Sequence, residues 1–146
     1  MSTTLDDLRY CLDHELDLVR QFLDVLRDES QALAQPDNTA TLAVSTRKKD
    51  HFAEQLAQAA KVRESLLAEL GLDTDKTGLD QAIRQNPALE PTCAELFSLA
   101  EQARRQNAEN GAIIEIYLAH NQRAIKTLRS LAGTGNLYDA KGQARP

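Results

Sequence analysis

Cys11-Leu12-Asp13-His14 sets a thiol and an imidazole three residues apart, on one face of any helix that carries them. That is a minimal nucleophile-and-base geometry. No Gly-rich loop ending a strand and no helix-start nest for an oxyanion accompanies it, and an ordinary amphipathic helix produces the same spacing. Metal chemistry in a helical bundle asks for a Glu from each of two helices and a Glu-x-x-His from each of two others. The chain contains no Glu-x-x-His, His-Glu-x-x-His or Cys-x-x-Cys, and His14, His51 and His120 stand alone. Cys11 and Cys93 are 82 positions apart with no second Cys near either, so they spell neither a zinc site nor a disulfide framework and read as core or half-buried residues. The expectation is a protein with no catalytic, cofactor-binding or metal-binding residues, and not an enzyme.

The elements that would position these side chains are helices. Aromatics are 4% of the 146 residues and Trp is absent, while Ala, Leu, Gln and charged residues dominate, a mixture that favours long helices. A chain of this length suits one domain, expected over residues 1–133, with a flexible tail over 134–146. The net charge of −5 is uneven: residues 1–35 hold eight Asp/Glu against three Arg, and the remainder holds fourteen of each sign. With no clustered basic stripe and no stacking aromatics, nucleic acid is not an expected partner. No signal-like start and no run of about 18 apolar residues is present. The expectation is a cytoplasmic protein that does not insert into membranes.

Thr4 and Asp7 have the spacing of a capping box, and a first helix is predicted from near Leu5. It repeats Leu5, Leu12, Val19, Leu26 and Leu33 every seventh residue, with Leu8 and Phe22 between them, a seam about 45 Å long. Gln35-Pro36-Asp37-Asn38-Thr39 turns the chain. A second helix runs from about Ala40 through Phe52, Leu56, Ala59, Arg63, Leu66 and Leu70 to a C-cap at Gly71. The short turn makes the two antiparallel. Glu15 and Arg63 fall on seam positions, where they either pair or reach out along the seam edge to water. Residues 72–91 form a connector with one short helix near Leu79 to Gln85. Thr92 and Glu95 then start a third long helix whose seam runs through Leu96, Ala100, Ala103, Asn107, Asn110, Ile114, Tyr117, Asn121, Ala124, Leu128 and Leu131. The predicted fold is all-α, an elongated antiparallel bundle of three long helices with a connector helix and a flexible C-terminal tail.

Two features of the third helix ask for a function. In Ala112-Ile113-Ile114-Glu115-Ile116-Tyr117-Leu118-Ala119 apolar side chains wrap well over half the helix circumference. Either the connector covers the far side, or the surplus is a partner site or a self-association surface. Asn107, Asn110 and Asn121 stand on the seam, and Gly111 interrupts the helix where a Gly costs about 1 kcal/mol relative to Ala. Asn107, Asn110 and Gly111 therefore form either a hinge or a place of close helix packing.

Asn107-Ala108-Glu109-Asn110-Gly111-Ala112-Ile113-Ile114, followed by Asn121, Leu128 and Leu137-Tyr138-Asp139-Ala140-Lys141-Gly142-Gln143, resembles the flagellar synthesis chaperones of the FlgN family, and the likeness spans essentially the whole chain. The resemblance implies a type III export chaperone that binds the disordered C-terminal segments of hook-associated, hook-filament junction proteins and prevents their premature polymerisation. Helix-in-groove recognition would place the client on Ile113, Ile114, Tyr117, Leu118, Asn121, Ile125 and Leu128. The resemblance also implies a second partner, the cytoplasmic domain of the flagellar export gate, docked through Tyr138. The competing expectation is a helical scaffold or tether, unrelated to secretion, that self-associates through the same helix.

Overall fold

The computed structural model describes residues 3–132, excepting the side chains of Tyr117, His120, Asn121, Ala124, Ile125 and Ala132. They form α1 (Thr4–Leu33), α2 (Thr39–Glu69), α3 (Lys76–Gln85), a 3-10 turn (Pro87–Leu89) and α4 (Glu90–Ala132), with no strand among the described residues. The fold is all-α, as the composition predicts. Compact units divide at Ala108 and Glu109, inside the span 1–133 expected to be one domain; unit 1 is Met1–Ala108 and unit 2 is Glu109–Pro146.

Each helix of unit 1 begins and ends for a local reason. The box that opens α1 uses Thr3 and Asp6, one residue earlier than Thr4 and Asp7: the Asp6 N–H donates to Thr3 Oγ1 at 3.0 Å, and the Thr3 N–H donates to Asp6 Oδ2 at 3.2 Å. Asp7 is then free to make the first helical bond, its N–H donating to the Thr3 carbonyl at 2.9 Å. The turn into α2 holds Asp37 at φ 56°, a left-handed conformation that Asp tolerates, and Asn38 Nδ2 donates back to the Ala32 carbonyl at 3.2 Å. Gly71, at φ 76°, closes α2: its N–H donates to the Ala68 carbonyl at 2.9 Å, and the Leu72 N–H donates to the Leu67 carbonyl at 3.0 Å, the two bonds of a Schellman motif.

The connector helix starts at Lys76, three residues before the expected Leu79, because Asp75 caps it through the Gly78 N–H at 3.3 Å. Gly78 is required there: a Cβ would fall 1.6 Å from the Asp73 carbonyl oxygen. The third long helix also starts early. The Pro87–Leu89 turn runs directly into it at Glu90, so Thr92 and Glu95 lie inside the helix and form no box. They serve α1 instead, Thr92 Oγ1 donating to Asp13 Oδ1 at 3.1 Å and Glu95 pairing with Arg20 at 2.7 Å.

The core lies along α1. Leu8, Leu12, Leu16 and Val19 meet Leu67 of α2, Leu79 and Ala82 of α3, Leu89 of the 3-10 turn, and Cys93 and Leu96 of α4. Further along, Leu23 and Leu26 meet Ala103. Contacts from Asp13 to Thr92 and from Leu26 to Ala103 show that α4 runs parallel to α1 within this unit. Pairs from Glu15 to Arg63 and from Glu29 to Lys49 show that α2 runs antiparallel. α1 is thus buried on two sides, which explains why Cys11, Glu15, Leu18, Val25 and Glu29 are buried along with the predicted seam. α2 is peripheral and fully buries only Ser45, Ala59 and Leu67.

Leu12 is 0% exposed where all these elements converge. Leu12→Ala should destabilise the protein by about 2–5 kcal/mol, the usual cost of such a cavity. Urea unfolding checks it: the midpoint falls while the slope is unchanged.

Candidate functional site

Cys11 and His14 do not form a nucleophile-base pair. The Cys11 thiol turns to α2 and donates to the Ala59 carbonyl at 3.6 Å, whereas His14 is exposed. Burial pushes the Cys11 thiol above its ordinary range, and the nearby Glu15 carboxylate adds to this. Cys93 is pushed further, to about 11, first by burial and then by Asp80 and Glu15. Both are free thiols held in their protonated form, unsuited to nucleophilic work. Among the described residues no group of three His, Cys, Asp or Glu side chains could hold a metal ion.

Glu15 and Arg63 do pair. Arg63 Nη1 donates to Glu15 Oε2, while Glu15 Oε1 is buried with no partner. A second pair joins Lys49 Nζ to Glu29 Oε1 at 3.2 Å. Beside the first pair opens a cavity of about 500 Å³, lined by Leu79, Leu96, Phe97 and Ala100 together with charged groups of α1, α2 and the start of α3. Lys76 Nζ stands 5.3 Å from the centre of the Phe97 ring.

The third helix carries its seam on a different phase from the expected one. Leu96, Ala103 and Asn110 are buried as predicted, but Ala100 and Asn107 are exposed. The alternating row is Leu99, which packs on both core clusters, and the half-buried Gln106. Leu at 99 offers far more apolar area than Ala at 100, and that difference selects the phase. Within the expected hinge, Asn107 therefore faces outward and Asn110 is 0% exposed. A Cβ on Gly111 would meet nothing within 4 Å, so close packing of a neighbour does not explain this glycine.

In unit 2 the apolar side chains of α4 are largely uncovered: Ile113, Ile116, Leu118, Leu128 and Leu131 are 38%, 63%, 55%, 61% and 75% exposed. Of the predicted client-binding residues, Ile113, Leu118 and Leu128 are exposed and Ile114 is half-buried. The side chains of Tyr117, Asn121 and Ile125 lie outside the described residues, as does Tyr138 of the predicted docking motif. Ile116 belongs to this surface but was absent from the predicted groove. At about 100° per residue it lies roughly 200° from Leu118, so exposed apolar groups are found on opposite sides of the helix. The wrapping of apolar residues from Ala112 to Ala119 is the sequence signal for it. Leu79 and Ala82 of the connector belong to the unit 1 core. No described helix is long and apolar enough to cross a membrane.

Comparison with known proteins adds the remaining information. The family model described as "FlgN protein" matches residues 1–146. The chain is 26% identical over 142 residues to "Flagella synthesis protein FlgN" of Proteus mirabilis, covering 97% of this chain and 92% of that protein. No solved structure matches the chain significantly.

The raised Cys93 thiol has a definite pH signature. Its folded value of about 11 lies above the ordinary 9.0, so the native state retains this proton longer than the unfolded chain does. Its stabilising contribution is complete below pH 9.0 and disappears as pH rises toward about 11. Urea midpoints across that window should fall with rising pH and fall less in Cys93→Ala.

Proposed function

The chain belongs to the FlgN family, and on that premise we propose that it is a flagellar export chaperone that holds the C-terminal segments of hook-associated proteins and delivers them to the export gate. It acts as a binding protein in the cytoplasm, and no chemical step is required of it. The observation that carries this reading is the exposure of Ile113, Leu118 and Leu128 on a helix of a family that bears the name of flagellar synthesis.

The physical logic is that of a disordered client. A segment that folds on binding buries apolar side chains against the 113–128 face and loses several kcal/mol of the gross interaction to its own ordering. Affinity is therefore moderate and release is feasible. Ile114, Tyr117, Asn121 and Ile125 complete the proposed client face, and Ile116 extends it. While bound, the client's polymerising surface is hidden. Tyr138, an aromatic anchor in an otherwise polar stretch, is assigned to the cytoplasmic domain of the export gate, which separates holding from delivery.

Co-purification with the C-terminal segment of a hook-associated protein tests the assignment. The triple variant Ile113→Ser/Leu118→Ser/Leu128→Ser should lose at least tenfold in affinity with an unchanged unfolding midpoint, because these side chains are exposed. Undiminished binding would overturn the client face. Tyr138→Ala should keep client binding while secretion falls. If instead the protein forms a stable oligomer through residues 113–128 and ignores such segments, mass measured across a concentration series will show it, and the scaffold reading takes over.

Asn107, Asn110 and Gly111 are assigned to a hinge that adjusts the client face. Because a Cβ at Gly111 meets open space, Gly111→Ala should raise helix stability by about 1 kcal/mol. A hinge role requires that this stabilised variant bind or secrete clients less well, and unchanged secretion would remove the hinge.

A further inference from the structure

α1 keeps one side exposed. On one flank of that side Cys11 donates its thiol to the Ala59 carbonyl of α2, and on the other Asp13 and Arg20 bond to Thr92 and Glu95 of α4. Tyr10 stands between the flanks, 79% exposed. Beside it α1 and α2 leave a groove of about 450 Å³, wholly within unit 1 and on different residues from the proposed client face. α1 lines this groove between Asp7 and His14, and α2 lines it between Gln55 and Leu66, each at the three-four spacing of a single helical face. Two antiparallel helices that turn such faces to a shared groove form a seat for a third helix. The α2 side is about 16 Å long, and Val62 on it is 52% exposed.

The charge around the groove selects the occupant. Asp7 lines it, and no Lys or Arg does. At 100° per residue, Asp6 and Asp17 lie within about 40° of Tyr10 around α1, and Glu69 lies within about 20° of Val62 around α2. All four acids are exposed. Arg9 is turned about 100° from Tyr10, toward the flank where Arg20 pairs with Glu95. We infer that the α1–α2 groove seats an amphipathic helix of a second protein, its apolar ridge on Tyr10, Val62 and Leu66 and its Lys or Arg side chains on Asp7, Asp17 and Glu69. Tyr10 suits an anchor at the rim, being a large, stiff aromatic with a polar tip. The exposed ion pairs contribute little energy each and steer the encounter, while burial of the ridge supplies the affinity. The same acids repel phosphate, which disfavours nucleic acid and anionic lipid surfaces. They also oppose the pairing of this face with its equivalent on a second copy.

The full-length protein, labelled at its methyl groups and amides, is titrated by NMR with a helical peptide of about 16 residues that carries leucines at i, i+4, i+7 and i+11 flanked by lysines. Saturable shifts are expected at the Ala59, Val62 and Leu66 methyls. Replacing the lysines by glutamates, or the leucines by serines, should weaken binding at least tenfold. Tyr10→Ala/Val62→Ala removes only exposed side-chain atoms and should weaken it at least tenfold without lowering the urea midpoint. Asp7→Asn/Asp17→Asn/Glu69→Gln should do the same and remove most of the salt dependence. The inference is overturned by an absence of saturation, by equal binding of the glutamate or serine peptide, by unchanged binding to either variant, or by shifts confined to residues 113–128. A dimer in sedimentation of the protein alone that Tyr10→Ala/Val62→Ala abolishes would assign the groove to a second copy and overturn it too. The groove and the 113–128 face share no residue, so either assignment stands if the other falls.

Discussion

α1 is buried on two sides at once, and every other element of unit 1 is placed by that fact. Its 30 residues receive α2 along one flank and α4 along the other, with α3 closing the end near Leu8 and Leu12. Helices that meet a common strut need few contacts with one another. α2 can therefore fully bury only Ser45, Ala59 and Leu67 and still be held, and α4 rests on a narrow row of Leu96, Leu99 and Ala103. The register of α1 against α4, from Asp13 with Thr92 to Leu26 with Ala103, uses up α1 as α4 reaches the end of unit 1.

Two buried ion pairs fix how α2 lies on that strut. Glu15 meets Arg63 and Glu29 meets Lys49, and the partners on each helix are two heptads apart. Sliding α2 by one heptad in one direction would set Glu15 and Glu29 against Leu56 and Leu42; in the other, against Leu70 and Leu56. Each slip buries a carboxylate against a hydrocarbon, which costs several kcal/mol, whereas the apolar seam alone would accept the shift. Buried pairs of this kind add little net stability and a good deal of selectivity. The orphaned Oε1 of Glu15 shows how little polar satisfaction is left over at these contacts.

Much of this was legible from periodicity. The seven-residue repeat from Leu12 to Leu33, the Gly71 stop and the placing of Glu15 and Arg63 on seam positions need no tertiary knowledge beyond a short turn between two helices, whereas the choice between pairing and reaching out to water is made only by the structure. What the sequence concealed has specific causes. Two Thr residues precede two Asp residues at the start of α1, so the capping spacing occurs twice and only backbone geometry selects Thr3 with Asp6. Thr92 and Glu95 imitate a cap, but the turn at Pro87–Leu89 has already begun the helix, and their polar atoms are spent on Asp13 and Arg20. Leu99 and Ala100 both fit a four-three alternation, so a pattern tolerant of Ala could not fix the phase. At the candidate site the surplus of apolar residues was visible as composition, yet the outward position of Ile116 depends on what is left uncovered, which no periodicity states. The cavity beside Glu15 depends on the packing of four elements and had no signal in the sequence.

The thinness of α2's attachment has a consequence for how the protein opens. Between Thr39 and Gln58 the only fully buried residue is Ser45, whereas Ala59 and Leu67 lock the far half against α1 and the connector. Protection of backbone amides from exchange with heavy water is then graded along this one helix, weakest beside the Pro36–Asp37 turn and approaching the global value near Leu67. The hairpin is fastened most firmly at one end, and a partial opening at its tip, which must break the Glu29–Lys49 pair, leaves the core beneath Leu12 undisturbed.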